Sequence, residues 1–469
     1  MDGANLLRIS PDKGIPGPIK YRNLLTILGL LLVLSAPGWL YLLFFASDWF
    51  DYSSALLQVP PVLIIHSVLV GIASRQDGFL RRVMLVGTLA KLACASAFLY
   101  MAFHLFNAAA DALHYFDQGQ SYFAAMQANG GFLLLQPFWS NNFIYMLSGL
   151  VQTVVGYDLQ TTTVLFALLS FWGEYFCYRA FCTAVPLEDR SQPALLLFLL
   201  PSLAFWSAPI GKDSAVLLFI GLTAYGLAKL SSEAVVGGLP LALIGIGGVA
   251  LVRPHVALMI ATAYAFPFLA SRTRRGLGGM TIKVLGLPLL VAVMLYLAFS
   301  AQSFLQLEDV SRSGAVLQKI NKNSNYGGSA FGGAASPAQR VLAAPVLFFR
   351  PFPWEVRNAQ SAIAAAEGLF LAVLVWKRRK QLVLVIRNWR QNPFVFFALV
   401  FVLEFSIVFS TAISNLGLLV RQRVMALPFL IFVLCAREVW QEGYRLSAKA
   451  QTIIHPTMRH VDDLVYPVQ

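Results

Sequence analysis

Apolar runs of about 20 residues recur along the whole chain, and such a run is the length an α-helix needs to cross a bilayer. Inside hydrocarbon every backbone N–H and C=O must find a partner within the protein, so only helices and closed barrels are allowed. Barrel strands alternate apolar and polar residues, and these runs do not, which excludes a barrel. The composition agrees. Of 469 residues, 58% are hydrophobic and 12% charged, with a mean hydropathy of +0.68. Ordinary globular chains are about 45–50% apolar and about 25% charged. The expected fold is therefore an all-α polytopic membrane protein.

About twelve spans are expected, at residues 22–46, 56–74, 84–107, 160–184, 193–209, 213–231, 236–252, 254–271, 281–300, 358–376, 392–412 and 420–437. The net charge of +13 would suggest nucleic acid in a soluble chain. Here the excess sits in short loops, where Lys and Arg mark the cytoplasmic side, so no nucleic-acid partner is expected. One set of loops holds Lys20 and Arg22, Arg75, Arg81 and Arg82, Arg272, Arg274 and Arg275, and the run Lys377, Arg378, Arg379, Lys380. That set reads as cytoplasmic, with both termini on the same side. The polar N-terminal segment, with Pro16, Gly17 and Pro18, reads as a tail rather than a cleaved signal peptide. The four cysteines, Cys94, Cys177, Cys182 and Cys435, fall in or at the ends of apolar runs without metal-ligand spacing.

The other loops face outward. Residues 108–159 contain NNFIYMLSGLVQTVVGYD, which suits a helix lying on the interface. Residues 301–357 begin Gly-, Ser- and Asn-rich and turn aromatic at FFRPFPWE, as in a segment seated at the membrane surface. The chain divides on this reading into a tail with two accessory spans (1–83), a seven-span module (84–300), a second long outer loop (301–357), and C-terminal spans with a tail (358–469).

The outward loops carry the candidate chemistry. Asp111 opens the first long loop, in ADALHYFDQGQ, with His114, Tyr115 and Asp117 close behind. Its carboxylate can act as a general base or cap a short interfacial helix. Lys212, in WSAPIGKDS, sits beside a helix N-terminus, a natural phosphate site; it can equally snorkel to the surface. Asp213 and Ser214 fit the cap of the next helix. Arg253 and His255 interrupt a long apolar stretch at Pro254, and a charge so placed usually faces a polar cavity. Arg350, Trp354, Glu355 and Arg357 lie in FFRPFPWEVRN, where arginine suits bidentate phosphate binding and the aromatics suit anchoring. Arg421 and Arg423, in LLVRQRVMALPF, are positive charges on the side that the charge rule disfavours, which points to an anionic ligand. Glu174, Glu367 and Glu404 fall within or near spans, with Arg179 the expected partner of Glu174.

An early outer carboxylate with dispersed outer cations resembles the GT-C superfamily of polyprenyl-phosphate-sugar-dependent membrane glycosyltransferases. That superfamily carries an essential acid in the outer loop after the first span of a seven-span module and a second long loop after the seventh. With 84–107 as the first span, Asp111 takes the acid's place, and 108–159 and 301–357 take the places of the two loops. The segments LLPSLAFWSAPIGKDSAVLLFIGLTAYGLAKL and VALVRPHVAL are similar to those of bacterial surface-polysaccharide members. Two spans precede the module, and the acid stands without an acidic neighbour.

The resemblance implies a cytoplasmic-membrane enzyme with its active site on the extracytoplasmic face. It would transfer sugar from a polyprenyl-phosphate donor to a glycan or lipid-linked acceptor. Asp111 would be the base. Lys212, Arg253, Arg350, Arg421 and Arg423 would bind phosphate, supported by His255 and Glu355. His114, Tyr115, Tyr326 and Trp354 would contact sugar or lipid. A divalent cation is compatible with a carboxylate site, although no ligand cluster is visible in the sequence. An O-antigen-type polymerase or ligase using a diphosphate-linked donor, and a transporter of lipid-linked glycans, are the alternatives.

Overall fold

The computed structural model describes residues 53–108, 110–185, 189–232, 235–270, 294–295, 344–387, 392–413 and 415–436. Among them the chain is helical and no strand occurs. The helices are α1 (Ser53–Ala73), α2 (Gly78–His104), α3 (Asp111–Ala128), α4 (Asn141–Val155), α5 (Leu159–Ala184), α6 (Ser191–Leu199), α7 (Pro201–Trp206), α8 (Lys212–Ser231), α9 (Val235–Val252) and α10 (Pro254–Ala270). Two 3-10 turns follow, at Ala344–Phe349 and Pro353–Glu355. Then come α11 (Ala359–Lys377), α12 (Arg379–Arg387), α13 (Pro393–Ala412), α14 (Leu416–Gln422), a 3-10 turn at Arg423–Met425, and α15 (Leu427–Cys435).

Among the described residues five helices are long and apolar enough to cross a membrane: α1, α2, α8, α11 and α13. The number rises to seven if two bent pairs each count as one span. The count of twelve is not reached among the described residues. The expected run 22–46 lies outside them, as does 281–300 apart from residues 294–295. The run 193–209 is split at Leu200 into α6 and α7, because Pro201 starts a new helix. The runs at 236–252 and 254–271 form the shorter helices α9 and α10, separated by Arg253.

The packing centres on α5, α8 and α9. Gly173 of α5 and Gly221 of α8 face each other so closely that a Cβ on either would run into the other helix's backbone. Gly226 of α8 meets Gly238 and Ala242 of α9 in the same way. In lipid, helices gain little from burying apolar surface against one another, and small residues that let backbones approach supply the dispersion contact instead. A second group surrounds α13, where Phe394, Phe397, Phe401 and Phe405 are buried along with Phe429 and Phe432 of α15.

The first long loop, expected to hold one interfacial helix, is a helical hairpin of α3 and α4. Gly119 and Gly149 allow the close approach, and Gln152 Nε2 donates to the Phe116 carbonyl at 2.9 Å. α4 covers the expected interfacial segment and meets α5 at 119°, so it does not continue the direction of α5.

The helix bundle has two chemically different ends. α2 is 27 residues long, about 40 Å at the α-helical rise, and separates the basic end, with Arg75 in the preceding turn and Arg81 and Arg82 at the start of α2 itself, from the start of α3 at Asp111. The first end also holds the run Lys377–Lys380. There Arg378 donates to the Leu434 carbonyl at 2.5 Å and to Gln192, and Asn392 donates to the Ala184 carbonyl at 2.8 Å. The second end gathers the starts of α3, α4, α8 and α10.

Candidate functional site

Asp111 is the first residue of α3. Its helix has Ala110 at the N-cap and no side-chain cap. The carboxylate does not close the helix end. Instead Asp111 Oδ2 accepts from Arg421 Nη1 at 2.9 Å, across 310 positions of chain. Arg421 in turn donates its Nε to Asp213 Oδ2. Asp213 Oδ1 accepts from Arg253 Nη2 at 2.6 Å, and Arg253 Nη1 donates to Gln422. Two carboxylates and two guanidiniums thus alternate in one chain of charge-assisted hydrogen bonds.

Local structure explains each placement. α8 begins after the turn Ala208–Gly211, with Gly211 at its N-cap, so Asp213 lies in the first helical turn and points its buried carboxylate at the arginines. Its expected capping role is therefore not what the structure builds. Arg253 sits at the break between α9 and α10, where Pro254 opens the next helix and lets the side chain turn inward. Its Nε–H is buried and has no hydrogen-bond acceptor among the described residues. Arg421 lies in the last turn of α14, beside the carbonyl end of that helix, where a cation is favoured.

Lys212, the first residue of α8, donates to Ser140 Oγ at 2.8 Å and lies within electrostatic reach of Asp111, Asp213, Arg253 and Arg421. Ser140 precedes α4 with a positive φ of 60° and is fixed by its N–H to the Leu251 carbonyl at 2.6 Å. Tyr115 is buried, and its hydroxyl donates to Asn141 Oδ1 at 3.3 Å. Burial and the neighbouring Asp111 charge push the Tyr115 hydroxyl up, so it stays a neutral phenol. His114 shares a hydrogen bond with the Tyr145 hydroxyl at 3.0 Å. His255 follows on α10, its ring 6.2 Å from that of Phe409.

The structure therefore brings together Asp111, Lys212, Arg253 and Arg421 from loops far apart in sequence, with His114, Tyr115 and His255 around them. Asp117 turns elsewhere and accepts from the Tyr157 hydroxyl at 3.3 Å.

The other candidates form a second group. Arg350 pairs with Glu355, which also accepts from the Phe352 amide at 2.8 Å. Burial alone would push the Glu355 carboxyl up, but the Arg350 guanidinium and that amide outweigh it and hold it low. Trp354 is 80% exposed and stacks on Phe352 at 4.9 Å. Arg423 departs from the expectation of an outward phosphate ligand. It is 0% exposed and donates to the Phe348 and Arg350 carbonyls, to Ser202 and to Glu367 at 2.7–3.0 Å. A guanidinium held by those four acceptors ties the 344–355 segment to α7 and α11. Tyr326 lies outside the described residues.

Asp213, Gln422, Ser140 and Asn141 are the site residues that spacing did not single out. The one available signal was for Asp213, an acid beside a lysine in a very short turn. Among the described residues no group of three or more His, Cys, Asp or Glu could hold a metal ion. Between the two carboxylates the positive charge is Arg421.

No protein-family model, no curated protein and no solved structure matches this chain.

Proposed function

We propose that this protein is a membrane glycosyltransferase of the GT-C kind, moving a sugar from a polyprenyl-phosphate donor to a glycan or lipid-linked acceptor on the extracytoplasmic face. One observation carries the reading. An exposed carboxylate, Asp111, shares a cluster with Lys212, Arg253 and Arg421, at the point where the starts of α3, α8 and α10 meet. Helix N-termini add free amides and positive dipole ends, which favour an anion.

The reaction needs both parts of this arrangement. The acceptor hydroxyl oxygen attacks the anomeric carbon, and its proton passes to Asp111. The bond from that carbon to the phosphate oxygen breaks, and its electron pair leaves with the polyprenyl phosphate. The cations stabilise the charge that grows on the leaving phosphate. Three cations against two carboxylates leave one net positive charge. A sugar joined to a polyprenol through one phosphate is a diester with one negative charge, which that balance matches better than it matches a diphosphate. This favours the monophosphate donor over the polymerase or ligase alternative.

Asp111→Asn tests the assignment. In membranes supplied with polyprenyl-phosphate sugar, loss of a general base lowers transfer by about 10²–10⁴-fold. Full transfer by a stably expressed Asp111→Asn protein would remove Asp111 as the base.

A further inference from the structure

Asp111 and Asp213 hold the same guanidinium in different ways. The Asp213 side chain is 5% exposed and is gripped from two directions, by Arg253 and by the Nε edge of Arg421. The Asp111 side chain is 63% exposed and reaches Arg421 through one hydrogen bond to Nη1, at 2.9 Å. The inner contact is a buried anchor. The outer one is an ion pair open to solvent, of the sort that exchanges readily with another anion.

Because Arg421 offers its two edges separately, an incoming anion can take Nη1 and leave the Asp213 bond intact. Resting on the phosphate reading above, we propose that Asp111 is a displaceable stand-in for the donor phosphate on Arg421. The phosphate takes over Nη1, and the Asp111 oxygen released from that bond becomes free to accept the acceptor's hydroxyl proton. Donor binding therefore arms the base, and deprotonation of the acceptor waits for the donor. Asp213 is the positioning residue that keeps Arg421 in place through the exchange.

Binding, rather than turnover, reads this directly. The purified full-length protein in detergent is titrated with undecaprenyl monophosphate and, separately, with inorganic phosphate. Asp111→Asn keeps the side-chain shape at an exposed position and removes the competing charge. It is expected to bind undecaprenyl monophosphate about two- to five-fold more tightly than the natural protein, the size of one exposed ion pair. A parallel gain with inorganic phosphate assigns the competition to the phosphate group itself. A gain confined to undecaprenyl monophosphate assigns it to a lipid-held phosphate. Unchanged or weaker binding by Asp111→Asn overturns the displacement while leaving the phosphate site standing. Failure of both proteins to bind either probe removes the phosphate reading as well.

Discussion

Lys91 and Glu174 form an ion pair 2.6 Å long in which both side chains are 1% exposed. Lys91 lies midway along α2, and Glu174 lies on α5. The ammonium also donates to the Leu203 carbonyl at 2.9 Å and to Ser207 Oγ at 2.7 Å, so all three of its N–H groups are used. Arg179, the expected partner of Glu174, instead donates to the Tyr175 hydroxyl at 3.2 Å and sits over the Tyr225 ring. Breaking a buried pair from one side leaves a charge without a counter-charge, at about 3–5 kcal/mol, whereas replacing both partners by apolar residues is often close to neutral. Lys91→Met and Glu174→Met should each lower the thermal midpoint in detergent, and the double variant should recover most of the loss. A double variant as unstable as the sum of the singles would show that the two residues are energetically uncoupled, against the pair as the source of the losses.

Arg421 and Arg423 are two residues apart and should fail in different ways. Arg421→Gln leaves Asp213 paired with Arg253, so the expected loss of stability is about 1–3 kcal/mol. Transfer from a polyprenyl-phosphate sugar should nevertheless collapse, because the guanidinium that takes up the donor phosphate is gone. Arg423→Gln strands Glu367, whose side chain is 1% exposed, and should cost about 3–5 kcal/mol. Its surviving folded fraction should keep binding phosphate. Thermal unfolding beside lipid-phosphate binding separates the two outcomes, and a reversed pattern would exchange their roles.

That pair also marks the limit of what sequence shows. The apolar runs announce helices because a bilayer leaves the backbone few alternatives. The charges of Asp111, Lys212, Arg253 and Arg421 stand out because charge near hydrocarbon is costly. Partnership is not visible in this way. Asp213 looked like a helix cap, although its carboxylate holds two arginines from positions 40 and 208 residues away. Arg421 and Arg423 look equivalent as letters, yet residues two apart on a helical turn do not share a face. The segment DALHYFDQGQSYFAAMQA has no apolar run, so α3 went unread as a full helix. Gly173 and Gly221 carry information only once each is set against the other.

Glu355 gives the segment before α11 a pH dependence of definite sign. Its folded carboxyl is held below its ordinary value of 4.5 by the Arg350 guanidinium and the Phe352 amide, against the effect of burial. A depressed folded value means that the group contributes stability above the unfolded value and loses it as pH falls through the folded one. The natural protein should therefore lose more stability than Glu355→Gln between about pH 6 and about pH 3. Parallel acid limbs for the two proteins, in thermal scans across that range, would count against the Arg350–Glu355 pair.

The two chemically different ends lead to a prediction about sidedness. Arg75 in the turn before α2, Arg81 and Arg82 at the start of α2, and the run Lys377–Lys380 share the end away from Asp111, and positive-inside bias predicts that this end lies in the cytoplasm. The α3–α4 hairpin, starting at Asp111, would then face outward with the charge cluster. Gln127, near the tip of that hairpin, and Lys380, at the basic end, are both exposed. In a background lacking the four native cysteines, Gln127→Cys should react with a membrane-impermeant maleimide in intact cells, and Lys380→Cys only after permeabilisation. The opposite pattern would put Asp111 in the cytoplasm. An extracytoplasmic lipid-linked donor could not reach it there, and the glycosyltransferase reading would fall even with the charge cluster intact.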